Sequence, residues 1–448
     1  MMLGKFLIQA AINNMAGGTP TPTPAPTPTI LPWILQISAS VGTLSVNDEN
    51  LYFYGQGGDL MRFTTNGGLL WQRKTSAGSR ILDQLSVKAL SDGVYVLSMD
   101  RELDTYISAN VNLVKYSNSG SLLWSKSLTI LPEDINSVLP HSFSVNSSGD
   151  VYLIGDGRGD LFVAKYSRTG DLEWQKSYDF SNQVICNSTV GADNNLYVIA
   201  YCYGAGISIF HTIFYKINPS GQILDSFKID GFEGQGIFVD DENKVYLSGL
   251  LYSNVEELIY APIFLKINPT SPTSIEWQKV ITSEDTLSLD RITKLSHIGM
   301  SDDRILFYGT RTHNIYQAVG LPIFAFDKDG SYVRTGQIGH SAGYEQSTGL
   351  DTNSEDYVYF GMKSQEDTPG VGQINSFIVK LPNDGTKTGI YPVEYGNIFY
   401  DSEKSSTTDD GSLSLEQVTP TTSDGALVEV TSNIVDTTST LQYTKTTI

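Results

Sequence analysis

Two phrases recur along this chain, and their recurrence constrains the fold more than any single motif. The first is LFVAKYSRTGDLEWQKS, residues 161–177: an apolar run ending near Lys, a tight turn with Gly, then a run carrying Trp. Further copies are MRFTTNGGLLWQRK (61–74), LVKYSNSGSLLWSKS (113–127) and, with two extra turn residues, FLKINPTSPTSIEWQK (264–279). Copies without Trp are FYKINPSGQILDSFK (214–228), IFAFDKDGSYVR (323–334) and FIVKLPNDGTKTG (377–389). Four of the five tryptophans, Trp71, Trp124, Trp174 and Trp277, fall in this one context, and Trp33 opens a similar run, WILQIS.

The second phrase precedes each copy of the first. It is a polar turn, a short alternating run rich in Tyr, and a small residue: ENLYFYG, DGVYVLS, GDVYLIG, NNLYVIA, NKVYLSG, DRILFYG and EDYVYFG. The small residues are Gly55, Ser98, Gly155, Ala200, Gly249, Gly309 and Gly361. Adding a less regular run before each gives four short antiparallel strands per unit of about fifty residues, the signature of a propeller blade. The expectation is an all-β, seven-bladed β-propeller over residues 33–397. Small residues fit where sheets crowd near the axis, and Trp on an outer strand fills the wedge between blades. WILQIS has no blade of its own before it. It is expected to complete the last blade beside FIVKL (377–381) and so remove the exposed sheet edges; the alternative is that GIYPVEYG (389–396) does so.

Outside the ring the composition changes. Residues 19–32, containing TPTPTPAPTPT, suit an extended spacer at roughly 3.1 Å per residue. Before it, residues 1–18 can form a short helix that places Leu3, Leu7, Ile8, Ala11, Ile12 and Met15 around a polar strip of Lys5, Gln9 and Asn13. Such a helix needs a partner to bury it, so a docking role is expected. A cleaved signal peptide is the competing reading. The tail, 398–448, is so rich in Ser and Thr that it cannot bury a core, and is expected to be flexible or to pair with another chain.

A formal net charge of −20 opposes binding to nucleic acid or to anionic membranes. No apolar run approaches the roughly 20 residues of a membrane span. The histidines His141, His211, His297, His313 and His340 have no metal-ligand spacing, and no nucleophile elbow or phosphate loop is present. Acidic pieces such as DKDGS (327–331), VDDENK (239–244) and DTNSED (351–356) suit strand-joining turns better than a calcium loop. No metal, cofactor or catalytic residue is therefore assigned. Cys186 and Cys202 flank Asp193-Asn194-Asn195, so a symmetric hairpin would set them face to face as a reduced pair.

The segments Thr169-Gly170 to Trp174, NGGLLW and SGSLLW resemble the tryptophan motif of quinoprotein-type propellers and the repeats of bacterial surface propellers. The quinoprotein enzyme sites do not carry over, because the chain has no adjacent Cys-Cys pair. The wider layout, from MLGKFLIQAAINN through the Pro-Thr spacer and the repeats to TLQYTKTTI, is similar to virion structural proteins of tailed phages of marine cyanobacteria. That resemblance implies a non-enzymatic tail, baseplate or fibre component. It would be held to other virion proteins by the N-terminal helix, in several copies, and would present the ring to host envelope glycans or proteins. Tyr201, Tyr203 and Tyr252 are candidates for stacking on sugars. A secreted adhesion propeller and a polysaccharide-degrading enzyme are the alternatives.

Overall fold

The computed structural model describes residues 32–447, leaving out 39–41, 48, 77–80, 102–107, 130–138, 158–159, 179–183, 203–210, 253–259, 271–273, 283–290, 302, 313–320, 341–342, 354–356, 367–373, 383–388 and the short links between strands beyond 393. The N-terminal docking residues Leu3, Leu7, Ile8, Ala11, Ile12 and Met15 lie outside the described residues, as does the spacer up to Leu31. The described residues contain strands and turns and no helix.

Seven antiparallel sheets form a closed seven-bladed propeller. The first blade is Gly42–Val46, Asn50–Gly55, Asp59–Thr64 and Leu69–Ser76. Five more follow, opening with Ile81–Leu90, Leu139–Val145, Val184–Val190, Phe232–Val239 and Arg291–Ser301. The seventh holds Gly343–Thr352, Tyr357–Glu366 and Ile374–Pro382, and its fourth strand is the first of the chain, Trp33–Ser38. Trp33 stands opposite Lys380 and Ser38 opposite Asn375, so the N-terminal strand closes the ring. The alternative closing strand instead forms a hairpin, Gly389–Val393 with Gly396–Lys404, added to the outer edge of the sixth blade. First strands of neighbouring blades touch all the way round, the seventh meeting the first, which places them nearest the axis.

Alternation along each strand sends successive side chains to opposite faces of its sheet, so every blade feeds two cores. Seven apolar clusters result, one at each junction between blades. The closing strand shows the pattern clearly. Trp33, Leu35 and Ile37 join the cluster with the first blade's Leu44, Leu51 and Phe53, while Ile34 joins the one with the sixth blade's Leu306 and Tyr308.

The tail differs from expectation. Beyond Lys404 the chain runs backwards around the ring, laying a fifth strand on each outer edge in turn: Thr407–Asp410 on the fifth blade, Glu416–Gln417 on the fourth, Thr422–Asp424 on the third, Val428–Val430 on the second, Val435–Thr437 on the first, and Tyr443–Thr447 on Trp33–Ser38 of the seventh. The physical reason is edge pairing. A Thr- and Val-rich segment with no core of its own is well suited to a pleated edge that already has one. The register is also charge-matched: Lys279 stands opposite Asp410, Lys228 opposite Glu416 and Lys176 opposite Asp424. Trp33–Ser38 has no lysine, and there the tail strand carries Lys445, opposite Leu35. Opposite charges at facing positions are a sequence pattern that favours one register over its slips.

Crowding at the small residues arises mostly within a blade. The first strand bulges opposite them, with register breaks at Gly234/Gly236 and Lys294/His297 among others. A Cβ on Gly249 would lie 2.0 Å from the Glu233 carbonyl oxygen, and one on Gly309 2.3 Å from that of Lys294. At Gly361 it would meet Thr348 at 2.7 Å and Leu44 of the adjoining first blade at 2.9 Å. Gly55 and Gly155 stand in the equivalent register, opposite Gly42 and Pro140.

The cysteines are not face to face. Cys186 stands opposite Ala200, and Cys202 opposite Val184. The hairpin is centred on Asp193, because Asn194 takes a positive φ of 60° inside a Gly191–Asn195 turn. The cysteine positions are therefore diagonal, at a separation of about 7–8 Å that a disulfide does not span without backbone movement. Peptide mapping of the protein under non-reducing conditions is expected to find both thiols free; a linked Cys186–Cys202 peptide is the contrary result.

Candidate functional site

The two ends of the ring differ in kind. In a four-stranded meander, the first-to-second and third-to-fourth connections share one end, and the second-to-third and blade-to-blade connections share the other. At the first end the turns are nearly uniform and their polar groups are consumed internally. Five tryptophans donate their indole N–H to a backbone carbonyl in the next blade's third-to-fourth turn: Trp33 to Thr65 (3.1 Å), Trp71 to Asn118 (2.9 Å), Trp124 to Arg168 (3.0 Å), Trp174 to Pro219 (2.9 Å) and Trp277 to Lys328 (3.0 Å). In each of these turns the glycine two residues on adopts positive φ, between 76° and 89°. The indole lies over that glycine: a Cβ on Gly170 would sit 2.9 Å from Trp124, and one on Gly330 2.8 Å from Trp277. The two outer strands without Trp have Asp225 and Arg334 at the equivalent register position. The fifth blade's turn, which Asp225 would reach, has no glycine between Asn268 and Ser274, and the seventh blade, which Arg334 would reach, has no third-to-fourth turn because its fourth strand is Trp33–Ser38.

Behind each Trp stands a Tyr, in edge or tilted contact at 6.0–6.2 Å: Tyr359, Tyr52, Tyr95, Tyr152 and Tyr246. A cation from the third strand covers the Tyr ring, as Lys115 does over Tyr95 at 4.7 Å. These aromatic residues are interlocking parts of the blade junctions and are not available as a ligand platform. Replacing Gly170 by Ala imposes both a left-handed backbone penalty and a clash with Trp124. A loss of about 1–3 kcal/mol is expected, to be read from denaturant midpoints, with altered Trp fluorescence in the native baseline.

Acidic turn residues are likewise occupied at this end. The Asp240 carboxylate accepts from the Glu242 and Lys244 amides and the Tyr246 hydroxyl. Asp351 accepts from Ser45 Oγ and the Val46 amide across the seventh-to-first junction. Burial works against the charge of Asp193, but bonds from Asn195, Tyr197 and Lys216 outweigh it and hold its pKa below the usual carboxylate range. Among the described residues no group of three or more His, Cys, Asp or Glu is placed to hold a metal ion. Among the described residues no helix is long and apolar enough to cross a membrane.

Sequence variation is concentrated at the other end. Second-to-third strands are joined there by stretches as different as Gln56–Gly58, 102–107, 203–210, 313–320 and 367–373, and blades by 130–138 and 283–290. Variable connections on a rigid scaffold are where recognition is usually carried. Of the tyrosines considered for sugar stacking, Tyr201 is buried within the fourth blade and does not serve, Tyr203 lies outside the described residues, and Tyr252 ends a strand at this variable end.

One irregularity faces neither end. On the first strand of the sixth blade the register shifts twice, between Ile292 and Lys294 and between Lys294 and His297. Burial pushes the His297 imidazole down to about 3, helped by the positive charge of Lys294 and opposed by a backbone hydrogen bond with Ser347. Lys294 is exposed, yet protein surrounds it closely enough for desolvation to lower its pKa. Isolated histidines in sequence gave no hint of this grouping.

No family model matches the chain. No curated protein matches it either. Among solved structures it is similar to one described under prolyl endopeptidases, with TM-score 0.47 and 10% identity over 82% of this chain and 52% of that one, so the chain spans about half the length of that protein. It is also similar to a phage phi92 endosialidase (TM-score 0.42, 9% identity, 82% of this chain and 71% of that one) and to a Dos1 propeller (TM-score 0.42, 7% identity, 78% and 95%). No residue role is transferred at these identities.

Proposed function

We propose that this protein is a non-enzymatic structural component of a tailed-phage particle, anchored by residues 1–18 and presenting the variable end of its ring to the host surface. One observation carries the reading: the chain enters the ring at the uniform end. Trp33, its first strand residue, bonds to the Thr65 carbonyl in a uniform turn, so the first described strand starts at the end opposite the variable connections. An anchored ring would thus hold its variable end outward. The uniform end bears a rim of exposed leucines at the start of successive outer strands, Leu70, Leu122, Leu123, Leu172 and Leu224, of the kind that faces other proteins in an assembly. Glycan or protein on the host envelope is the ligand class this reading assigns to the variable end.

The test is a protein lacking residues 1–18, and a second with Leu7→Asp and Ile12→Asp, each supplied to assembling particles. Both are expected to fold as propellers by circular dichroism and to be absent from purified particles by mass spectrometry. Normal incorporation of either would place attachment in the ring or the tail and overturn the docking role.

A further inference from the structure

We infer that Lys294, Ser296 and His297, on the axis-proximal strand of the sixth blade, form a site for a protonated oxyanion of the hydrogen-phosphate type. The strand Arg291–Ser301 breaks register twice, whereas the other first strands described break it once or not at all. Bulges of this kind re-aim side chains and are common beside functional sites. The fifth blade fixes this one from the side. The Leu295 amide donates to Gln235 Oε1, and the Leu295 carbonyl accepts from Ser248 Oγ, both at 2.5 Å. The lifted segment is therefore held rigidly.

Its side chains are left incomplete. Ser296 Oγ and His297 Nε2 are buried without a hydrogen-bond partner, and Lys294 makes no ion pair among the described residues. Glu233, on the first strand of the fifth blade, accepts from Gln235 Nε2 at 2.9 Å. Buried polar groups in native proteins are almost always satisfied, by an ordered water, a ligand or an ion where no protein partner exists.

The chemistry of the three groups narrows the ligand. Because Nε2 has no partner, the backbone bond with Ser347 falls to Nδ1, which keeps the proton there and leaves Nε2 as a bare acceptor. An ammonium requires an anion, a bare imidazole nitrogen requires a donor, and a hydroxyl serves either. Hydrogen phosphate supplies a charged oxygen to Lys294 and a P–OH to His297 Nε2. Sulfate at neutral pH supplies only the first. A phosphate monoester is chiefly the dianion at pH 7 and, like sulfate, has no P–OH to donate, so the free ion is the source this chemistry favours.

Calorimetry on the full chain at pH 7 with inorganic phosphate is the test. Saturable one-to-one binding is expected, at least about tenfold weaker for sulfate, the loss of one charge-assisted hydrogen bond. Binding should be lost in Lys294→Met, an exposed position whose change leaves the melting curve in place, and weakened toward the sulfate value in His297→Leu. A sugar phosphate, without a P–OH at pH 7, is expected to bind no more tightly than sulfate; binding as tight as that of inorganic phosphate would overturn the assignment. Absence of saturable heat, equal binding of sulfate, or phosphate binding unchanged in Lys294→Met would each overturn the site.

Discussion

Deletion of residues 33–38 is expected to abolish the cooperative unfolding transition of the ring. The strand buries Trp33, Ile34, Leu35 and Ile37, each at 1% exposure or less, in two different junction clusters. At about 1.5–3 kcal/mol per large apolar side chain, the loss is roughly 6–12 kcal/mol, comparable with the whole net stability of about 5–15 kcal/mol of a typical domain. The deletion also removes the partner of Tyr443–Thr447 and leaves Ile374–Pro382 as a bare edge. Thermal melting by circular dichroism reads the effect. Single truncations, Leu35→Ala or Ile37→Ala, are expected to cost about 2–5 kcal/mol each while the ring stays closed. A deletion protein with an unchanged melting curve would mean that the ring closes by another strand.

Truncation after Lys404 is expected to leave a closed ring that melts at least about 5 °C lower and self-associates as concentration rises. Six blades would lose their fifth strand, and each outer strand would present unpaired N–H and C=O groups, the situation that leads to edge-to-edge association. Light scattering across a concentration series separates association from simple loss of stability. A milder variant tests the register: Asp410→Lys, Glu416→Lys and Asp424→Lys together set like charges opposite Lys279, Lys228 and Lys176. It should reproduce part of the loss, more at low salt than at high. A truncated protein that melts normally and stays monomeric would show that the tail does not secure the ring.

The blades were legible because each repeats one pattern: alternation for the sheet, Gly for the turn, Trp for the junction. Closure by WILQIS was legible for the same reason, since an outer-strand phrase without a blade can only belong to an incomplete one. What the indole bonds to was not legible, because the acceptor is a backbone carbonyl about 45 residues on, and backbone groups leave no mark in sequence. The tail misled for a different reason. Its strands are two to five residues long and polar, and their stability comes from the edges they cover. Only the spacing of Asp410, Glu416 and Asp424 against distant lysines carries that information. At the cysteines, centring the hairpin one residue too far toward the C-terminus shifted the pairing by two positions. The positive φ of Asn194 decides that register, and Asp193-Asn194-Asn195 offers more than one residue able to adopt it. The Lys294–His297 grouping depends on a double bulge, which irregular spacing hides from any periodic reading.

The meeting of Trp33 with both Ile374–Pro382 and Tyr443–Thr447 has a consequence for synthesis. The strand made first must wait on the ribosome for a partner more than three hundred residues behind it. At about 5–20 residues per second that wait is on the order of 20–70 s. During it a sticky apolar strand has no edge to pair with. The Pro-Thr run immediately before it cannot extend a sheet, and so limits the length that could pair wrongly with a neighbouring nascent chain. The tail is made last and runs against the order of blade synthesis, ending over the strand that was made first. A prematurely terminated chain therefore lacks its outer seal, which gives the cell's quality control a clear difference between finished and unfinished protein.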